Sequence, residues 1–483
     1  MLFNSVQFVI FFIAVVSAYF LLPHRFRWML VLGASFYFYM VFIPWYVLIL
    51  IFLIVVDFFL GKKIESSQGK SRKFWLLFSI FSNVGMLFVF KYFNFFHENI
   101  SNLAQYLGFQ MPIGALSLAL PVGLSFHTFQ SLSYVVEVYR GKFPAEKHLG
   151  IYGLYVMFFP QLVAGPIERP EHMLPQFRQK QIFQRERVIS GMQRMILGFF
   201  KKIVIADHLA IFVNTVYGSP SEYSGISLAL ATVFFAFQIY CDFSGYCDIA
   251  IGAARILGYE LTENFRAPYL ASSISEFWRR WHISLSLWFR DYVYIPLGGS
   301  RGSELKTIRN LLLTFILSGL WHGANWTFVI WGGLNGLYLI LARWKDHFFP
   351  SIQKPNFFSS LIGSLVTFVL ICFSWIFFRA ETVAEGWYIL THMFSGWTIG
   401  IQTFFSFEFL SKNVFLGQTD TQFFVAIFGV LFVLVYEYFV LKKTWAVKIF
   451  SNRFAQAVFS VFLVLLTLSL WEGKGGQFIY FQF

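Results

Sequence analysis

Three cysteines in 483 residues are too few for a disulfide framework, and Cys241 and Cys247 are not spaced as a zinc knuckle. With Cys372 they read as packing residues, and no metal is expected. Charge is scarce too: 13% of the residues are Asp, Glu, Lys or Arg, against about 25% in ordinary soluble domains. That shortage excludes a soluble globular domain, because a chain that is 57% hydrophobic and 22% aromatic has more apolar surface than its own core could cover. The opening MLFNSVQFVIFFIAVVSAYFLLP lacks the basic start and small-residue cleavage site of a signal peptide, so it is expected to be a first transmembrane helix.

What the chain has in excess is positive charge, a net +13, and its placement argues against a nucleic-acid partner. Lys and Arg gather in loops between apolar runs, which is the signature of membrane orientation. With spans of about 20 residues, apolar segments fall near 5–22, 28–43, 45–60, 74–93 and 113–137. Loop 61–73 carries five Lys or Arg and is expected in the cytoplasm. Counting back places His24–Arg27 in the cytoplasm and the N-terminus outside. Residues 94–112 hold no Lys or Arg and are expected outside, whereas 139–187 hold eight and are expected inside.

A helix near 192–216 then leads out to the basic-free GSPSEYSG, and a segment near 226–257 returns to region 266–309 with seven basic residues. VMFFPQLVAGPIERPEHMLPQF and ISEFWRRWHISLSLWFRDYVYIPLGGSRG mix aromatic, basic and proline residues too finely to cross a bilayer, yet are too apolar for free loops. They read as re-entrant or interfacial helices. Segments near 358–378, 422–441 and 455–471 alternate around Lys442, Lys443, Lys448 and Arg453, which places Arg343, Lys345 and Lys354 inside and the C-terminus outside.

Arg309 and Arg343 therefore lie on one side, with too little chain between them for two full spans. Two short helices meeting at a break in SGLWHGAN, within the membrane, satisfy the count; a single tilted span with one misread loop is the competing solution. In the first solution Gly319 and Gly323 supply flexibility at the break, and Gly332 with Gly336 forms a GxxxG pair for close packing.

Chemical motifs are few. No phosphate-loop, dinucleotide-binding or HExxH pattern stands in a convincing setting. GLSFH at 123–127 is not a nucleophile elbow, and PLGGSRGS at 296–303 is either a turn or a weak phosphate loop. Ser318 sits one helical turn before His322 but lacks an orienting acid. Two histidines keep unusual company: His322 in WHGAN, and His282 in FWRRWHISLSLWFRD. Each alone fits a satisfied structural residue. Together, in a water-poor apolar setting that shields a thioester from hydrolysis, they suit acyl transfer to a hydroxyl.

FFPQLVAGPIERPEHMLPQF, the run 238–301, LSGLWHGANWTFVIWGGLNG and the closing FIYFQF resemble the membrane-bound O-acyltransferase family. The likeness is greatest to its bacterial members that O-acetylate alginate or peptidoglycan, with D-alanyl transferases more distant. The resemblance implies an all-α polytopic membrane protein of the cytoplasmic membrane. Its fold would be a single domain over 1–483 (1–137, 138–345 and 346–483), with about ten to twelve spans plus re-entrant helices around a central tunnel. It also implies no bound cofactor, a cytoplasmic thioester donor such as acetyl-CoA, and an extracytoplasmic acceptor, the serine of an SGNH-type partner. In this reading His322 is the general base, and His282 orients the donor or stabilises the oxyanion.

The remaining assignments carry simpler alternatives. Arg279, Arg280 and Arg301 would attract the phosphates of CoA or merely anchor the cytoplasmic side. Asn325 would fix the His322 tautomer if both shared a helical face, and Trp321 and Trp326 would wall the tunnel or pack. Phe478–Phe483 would meet a partner or form an interfacial belt. A transporter should show internal repeats, which are not evident, and a non-catalytic scaffold leaves the two histidines unexplained.

Overall fold

The computed structural model describes residues 1–109, 114–348, 356–397, 406–416, 419–442, 452–471 and 476–479. Among them every regular element is helical. The chain folds as two compact units, one comprising 1–195 and 249–262, the other 196–248 and 263–483.

The first unit contains α1 (Val6–Leu21), α2 (His24–Met40), α3 (Val47–Ser66), α4 (Gly69–Leu87), α5 (Phe93–Tyr106), α6 (Leu124–Tyr139), α7 (Leu149–Met157) and α8 (Pro170–Arg178). α9 (Arg185–Phe199) and α11 (Gly225–Leu257) contribute to both units. The second unit holds α10 (Asp207–Gly218), α12 (Ile274–Arg280), α13 (Ile283–Phe289), α14 (Glu304–His322), α15 (Trp326–Phe348), α16 (Phe357–Arg379) and α17 (Val383–His392). It is completed by α18 (Phe407–Leu410), α19 (Asp420–Lys442) and α20 (Arg453–Ser469).

Among the described residues, four stretches are long and apolar enough to cross a membrane: Gly69–Tyr106, Gly225–Leu257, Phe357–Arg379 and Thr421–Phe439. Two boundaries differ from the hydropathy reading. The expected outer loop 94–112 is helical through Tyr106, because the π-turn Phe88–Tyr92 joins α4 to α5 without a break. The expected span 113–137 becomes helical only at Leu124, after Pro121 and a left-handed Gly123 at φ 77°.

In the first unit, Asp57 of α3 is fully buried and accepts hydrogen bonds from Ser79 Oγ at 2.6 Å and Asn83 Nδ2 at 2.8 Å on α4. That pairing pins two apolar helices through polar groups. Buried Glu168, in the irregular GPIERP stretch, accepts the Thr262 N–H at 2.6 Å and pairs with His172 Nδ1 at 2.7 Å. Both aromatic, basic stretches form short helices joined by turns and irregular backbone.

The second unit is built around α11, whose 33 residues extend about 50 Å at 1.5 Å per residue. Beside it the π-turn Phe200–Ala206 widens the helix and aims two adjacent buried lysines at different partners. Lys201 reaches Asp248 at 2.9 Å and Glu437 at 3.9 Å. Lys202 pairs with Asp242, with Asp207 at 2.9 Å and with the Gln477 carbonyl at 3.1 Å. Buried charges in an apolar bundle survive only when paired in this way.

Phe478 and Ile479 are 1% and 3% exposed. Phe478 packs edge-on to Tyr246 at 4.7 Å, with the Lys202 ammonium 4.6 Å from its ring, and the Ile479 N–H donates to Asp242 at 2.7 Å. These two residues of the closing motif are therefore interior to the unit. Tyr480–Phe483, the rest of the segment expected to meet a partner, lie outside the described residues.

Candidate active site

α14 begins at Ser303, whose hydroxyl accepts the Lys306 N–H, and ends at His322. The chain reverses through 323–325 and returns as α15. Arg343 at the far end of α15 meets Glu304 at the start of α14, at 3.1 Å, so the two helices form an antiparallel hairpin. The break falls inside SGLWHGAN, but the helices are not short as expected: they run 19 and 23 residues because they extend past the two arginines used to bound them.

The glycines do something other than loosen the break. A methyl added to Gly319 would stand 2.1 Å from the Phe328 carbonyl oxygen, and one on Gly332 would stand 2.3 Å from that of Phe315. Gly323 has φ −160°, an extended conformation open to any residue, but a methyl there would strike the Phe328 ring at 2.0 Å. All three permit close approach, which corrects the expectation that Gly319 and Gly323 supply flexibility. A methyl on Gly336 would stand 3.2 Å from the Leu312 side chain, so this glycine completes the close-packed seam.

The hairpin holds His322 at the end of a helix, 5% exposed. Its ring packs against Trp321 at 4.9 Å, Trp331 at 5.1 Å and Phe378 at 5.2 Å, all near perpendicular. Trp331 is stacked on Trp375 at 5.9 Å, so α14, α15 and α16 each supply a wall. The imidazole is thus enclosed by aromatic rings from three helices.

His282 is 1% exposed and occupies the left-handed region, φ 41°, a conformation that costs a non-glycine residue about 1–2 kcal/mol. The cost is met by a clamp around Asn264. The Ile283 N–H donates to the Asn264 carbonyl at 3.0 Å, and the Arg266 N–H to that of Arg280 at 3.0 Å. The Asn264 side-chain oxygen accepts from the Ser284 N–H at 3.1 Å, the Ser284 hydroxyl at 3.0 Å and His282 Nδ1 at 3.2 Å.

A backbone N–H can only donate, which identifies that atom as the amide oxygen and makes His282 Nδ1 a donor. In a neutral ring this leaves the lone pair on Nε2. Asn264→Ala should cost about 1–3 kcal/mol, read as a lower denaturation midpoint, because it orphans buried donors. Acyl transfer should fall with it, while Asn264→Asp, which keeps an acceptor oxygen, should retain more of both.

Trp321, 5% exposed, lies 6.2 Å from His282 and 4.9 Å from His322, so one indole touches both imidazoles. Trp326 is 53% exposed and does not wall this site. Asn325 is the cap of α15: its Oδ1 accepts the Thr327 N–H at 3.0 Å and its Nδ2 donates to the Glu381 carbonyl at 2.9 Å. The helix ends at His322, so the shared face that would have let Asn325 set the tautomer does not form.

Arg280 is paired with Glu276 at 2.5 Å, whereas Arg279 and Arg301 are exposed. PLGGSRGS is an exposed turn, with Gly298, Gly299 and Gly302 at positive φ. Sequence reasoning missed Asn264, Trp331 and Phe378. It also passed over Lys201 and Lys202, although two lysines inside an apolar run, with Asp242 and Asp248 in the apolar run of α11, were a usable signal.

A model of the membrane-bound O-acyltransferase family matches residues 148–380, a range that includes both histidines. The chain is 38% identical over 399 residues to a protein of Pseudomonas aeruginosa named probable alginate O-acetylase AlgI, covering 82% of this chain and 75% of that one. It is 36% identical over 388 residues to a peptidoglycan O-acetyltransferase of Helicobacter pylori, covering 74% and 72%. A teichoic acid D-alanyltransferase of Bacillus subtilis is 28% identical over 279 residues, covering 54% and 69%.

Proposed function

The chain belongs to the membrane-bound O-acyltransferase family and is an O-acyltransferase, and from that premise we propose that it moves an acetyl group from a cytoplasmic thioester to an extracytoplasmic hydroxyl. The donor in this reading is acetyl-CoA, held without any resident cofactor. The acceptor is the serine of an SGNH-type partner, which passes the group to an exopolysaccharide or to peptidoglycan. The protein sits in the bacterial cytoplasmic membrane with both termini outside, about ten to twelve spans enclosing a tunnel that joins its two faces.

The observation that carries this reading is the His322 imidazole, closed in by three aromatic walls at a helix break. His322 takes the proton from the incoming hydroxyl as its oxygen attacks the thioester carbonyl. The carbon–sulfur bond breaks, the ester forms, and the imidazolium returns the proton to the departing thiolate. The apolar walls keep water from competing for the thioester. His282, its ring held through Nδ1 on Asn264, orients the donor or stabilises the developing oxyanion. Exposed Arg279 and Arg301 remain available to the donor's phosphates, in keeping with their placement in a basic loop region.

The test is reconstitution of the purified chain in liposomes with acetyl-CoA labelled in its acetyl group and an SGNH-type acceptor domain on the opposite side. Covalent label on the acceptor serine is the expected result. Label crossing without covalent transfer would make the protein a transporter, and acceptor docking without label a scaffold. A D-alanyl thioester carrier run in parallel should give no transfer; transfer from it alone would move the protein to the D-alanyl branch.

A further inference from the structure

In the first unit, the corner between α1 and α2 is latched to a distant piece of chain. Arg27, 9% exposed, donates to the carbonyl of Leu22 at 3.0 Å and to that of Gln181, 154 residues away, at 2.5 Å. His24 Nε2 lies 3.3 Å from the Arg178 carbonyl oxygen, and Phe20 packs edge-on to Phe183 at 5.3 Å. Residues 179–184, the irregular stretch between α8 and α9, are thereby held against the corner.

The latch gathers positive charge. Residues 24–27 and 178–187 together hold six Lys or Arg and one acid, Glu186. Arg27 is built into the fold and Arg178 is paired with Glu146. Arg25, Lys180 and Arg185 are exposed, and among the described residues none of them pairs with a carboxylate. The same surface carries apolar side chains: Leu21 is 85% exposed, Ile182 58% and Phe183 60%.

Neither bulk phase suits this mixture. Water leaves the apolar side chains uncovered, and hydrocarbon penalises the irregular backbone of 179–184, which has no helical hydrogen bonds of its own. The headgroup layer of a bilayer accepts both, because it solvates the backbone while apolar side chains dip beneath it. What the cations meet at that depth is the phosphate of a lipid. A soluble phosphate compound offers the same charge but leaves Leu21, Ile182 and Phe183 uncovered, so the apolar flank selects the lipid.

We propose that the α1–α2 corner and residues 178–185 form a binding site for the headgroup of an anionic phospholipid, with Leu21, Ile182 and Phe183 set against its acyl chains. The site takes no part in donor or acceptor chemistry, so it stands or falls apart from acetyl transfer.

Native mass spectrometry of the full chain in detergent, titrated with dioleoylphosphatidylglycerol or dioleoylphosphatidylcholine at matched concentration, tests this. Saturable, preferential retention of phosphatidylglycerol is expected. The triple variant Arg25→Gln, Lys180→Gln, Arg185→Gln should weaken that retention by about 100-fold, at about fivefold for each surface cation. Ile182→Ser, which leaves every charge in place, should weaken it by about tenfold. Lys63→Gln, Lys70→Gln, Lys73→Gln is the control: it removes three exposed cations from the basic stretch 61–73 and should leave retention unchanged. Equal retention of the two lipids, equal loss in the two triple variants, or unchanged retention in Ile182→Ser would overturn the proposal. Displacement of phosphatidylglycerol by equimolar coenzyme A would also overturn it, making the patch a site for a soluble phosphate compound.

Discussion

His322→Ala is expected to lower acetyl transfer by about 10²- to 10⁴-fold, the usual contribution of a positioned general base, while the protein still inserts and purifies as a folded species. Removing the ring opens a void among Trp321, Trp331 and Phe378, so some stability will be lost along with the base, at about the 1–3 kcal/mol typical of single core changes. His322→Gln separates the two effects. Glutamine refills much of the volume but has no basic nitrogen, so it should recover the denaturation midpoint and not the rate. Near-normal transfer by either variant in the labelled acetyl-CoA assay would remove His322 from the chemistry. A rate that recovered with glutamine would assign the histidine to packing.

The second large effect concerns the mounting of that imidazole. Gly319→Leu should abolish recovery of folded, active protein, because its first added carbon would sit 2.1 Å from the backbone oxygen of Phe328. Ordinary overpacking costs about 1–3 kcal/mol when flexible side chains can yield. Here the obstacle is backbone, so the helices must part and the aromatic box opens with them. Gly333→Ala is the control: on the same hairpin, a methyl there meets nothing within 4 Å. That variant should keep full activity and gain up to about 1 kcal/mol from helix propensity. Thermal unfolding in detergent, followed by size-exclusion chromatography, reads both. Equal behaviour of the two variants would show that hairpin contact does not support the site.

Much of this arrangement was legible before any fold was known. Hydropathy and charge identified a membrane protein, and the shortage of chain between Arg309 and Arg343 located a break that the structure places at 323–325. His282 and His322 stood out because titratable groups are rare in such surroundings, and the structure sets both against Trp321. Where hydropathy failed, at the start of α6 and the end of α5, the deciding factors were backbone terms: a left-handed glycine in one case and a π-turn in the other.

By itself, then, the sequence determined the solvent the chain lives in, the approximate positions of its helices and the two histidines that stand out in apolar surroundings. Hydrophobicity, charge and side-chain acidity are properties of residue type and nearby chain, so they can be read along one dimension. Tertiary structure alone decided which nitrogen of His282 carries the proton, since that depends on Asn264, 18 residues away, meeting it at 3.2 Å. It decided that Gly319 and Gly323 are there for close packing and not flexibility, and that Lys201 and Lys202 answer to different acids. Each of these is fixed by which atoms come within a few ångströms across long stretches of chain, and that is settled only when the helices pack.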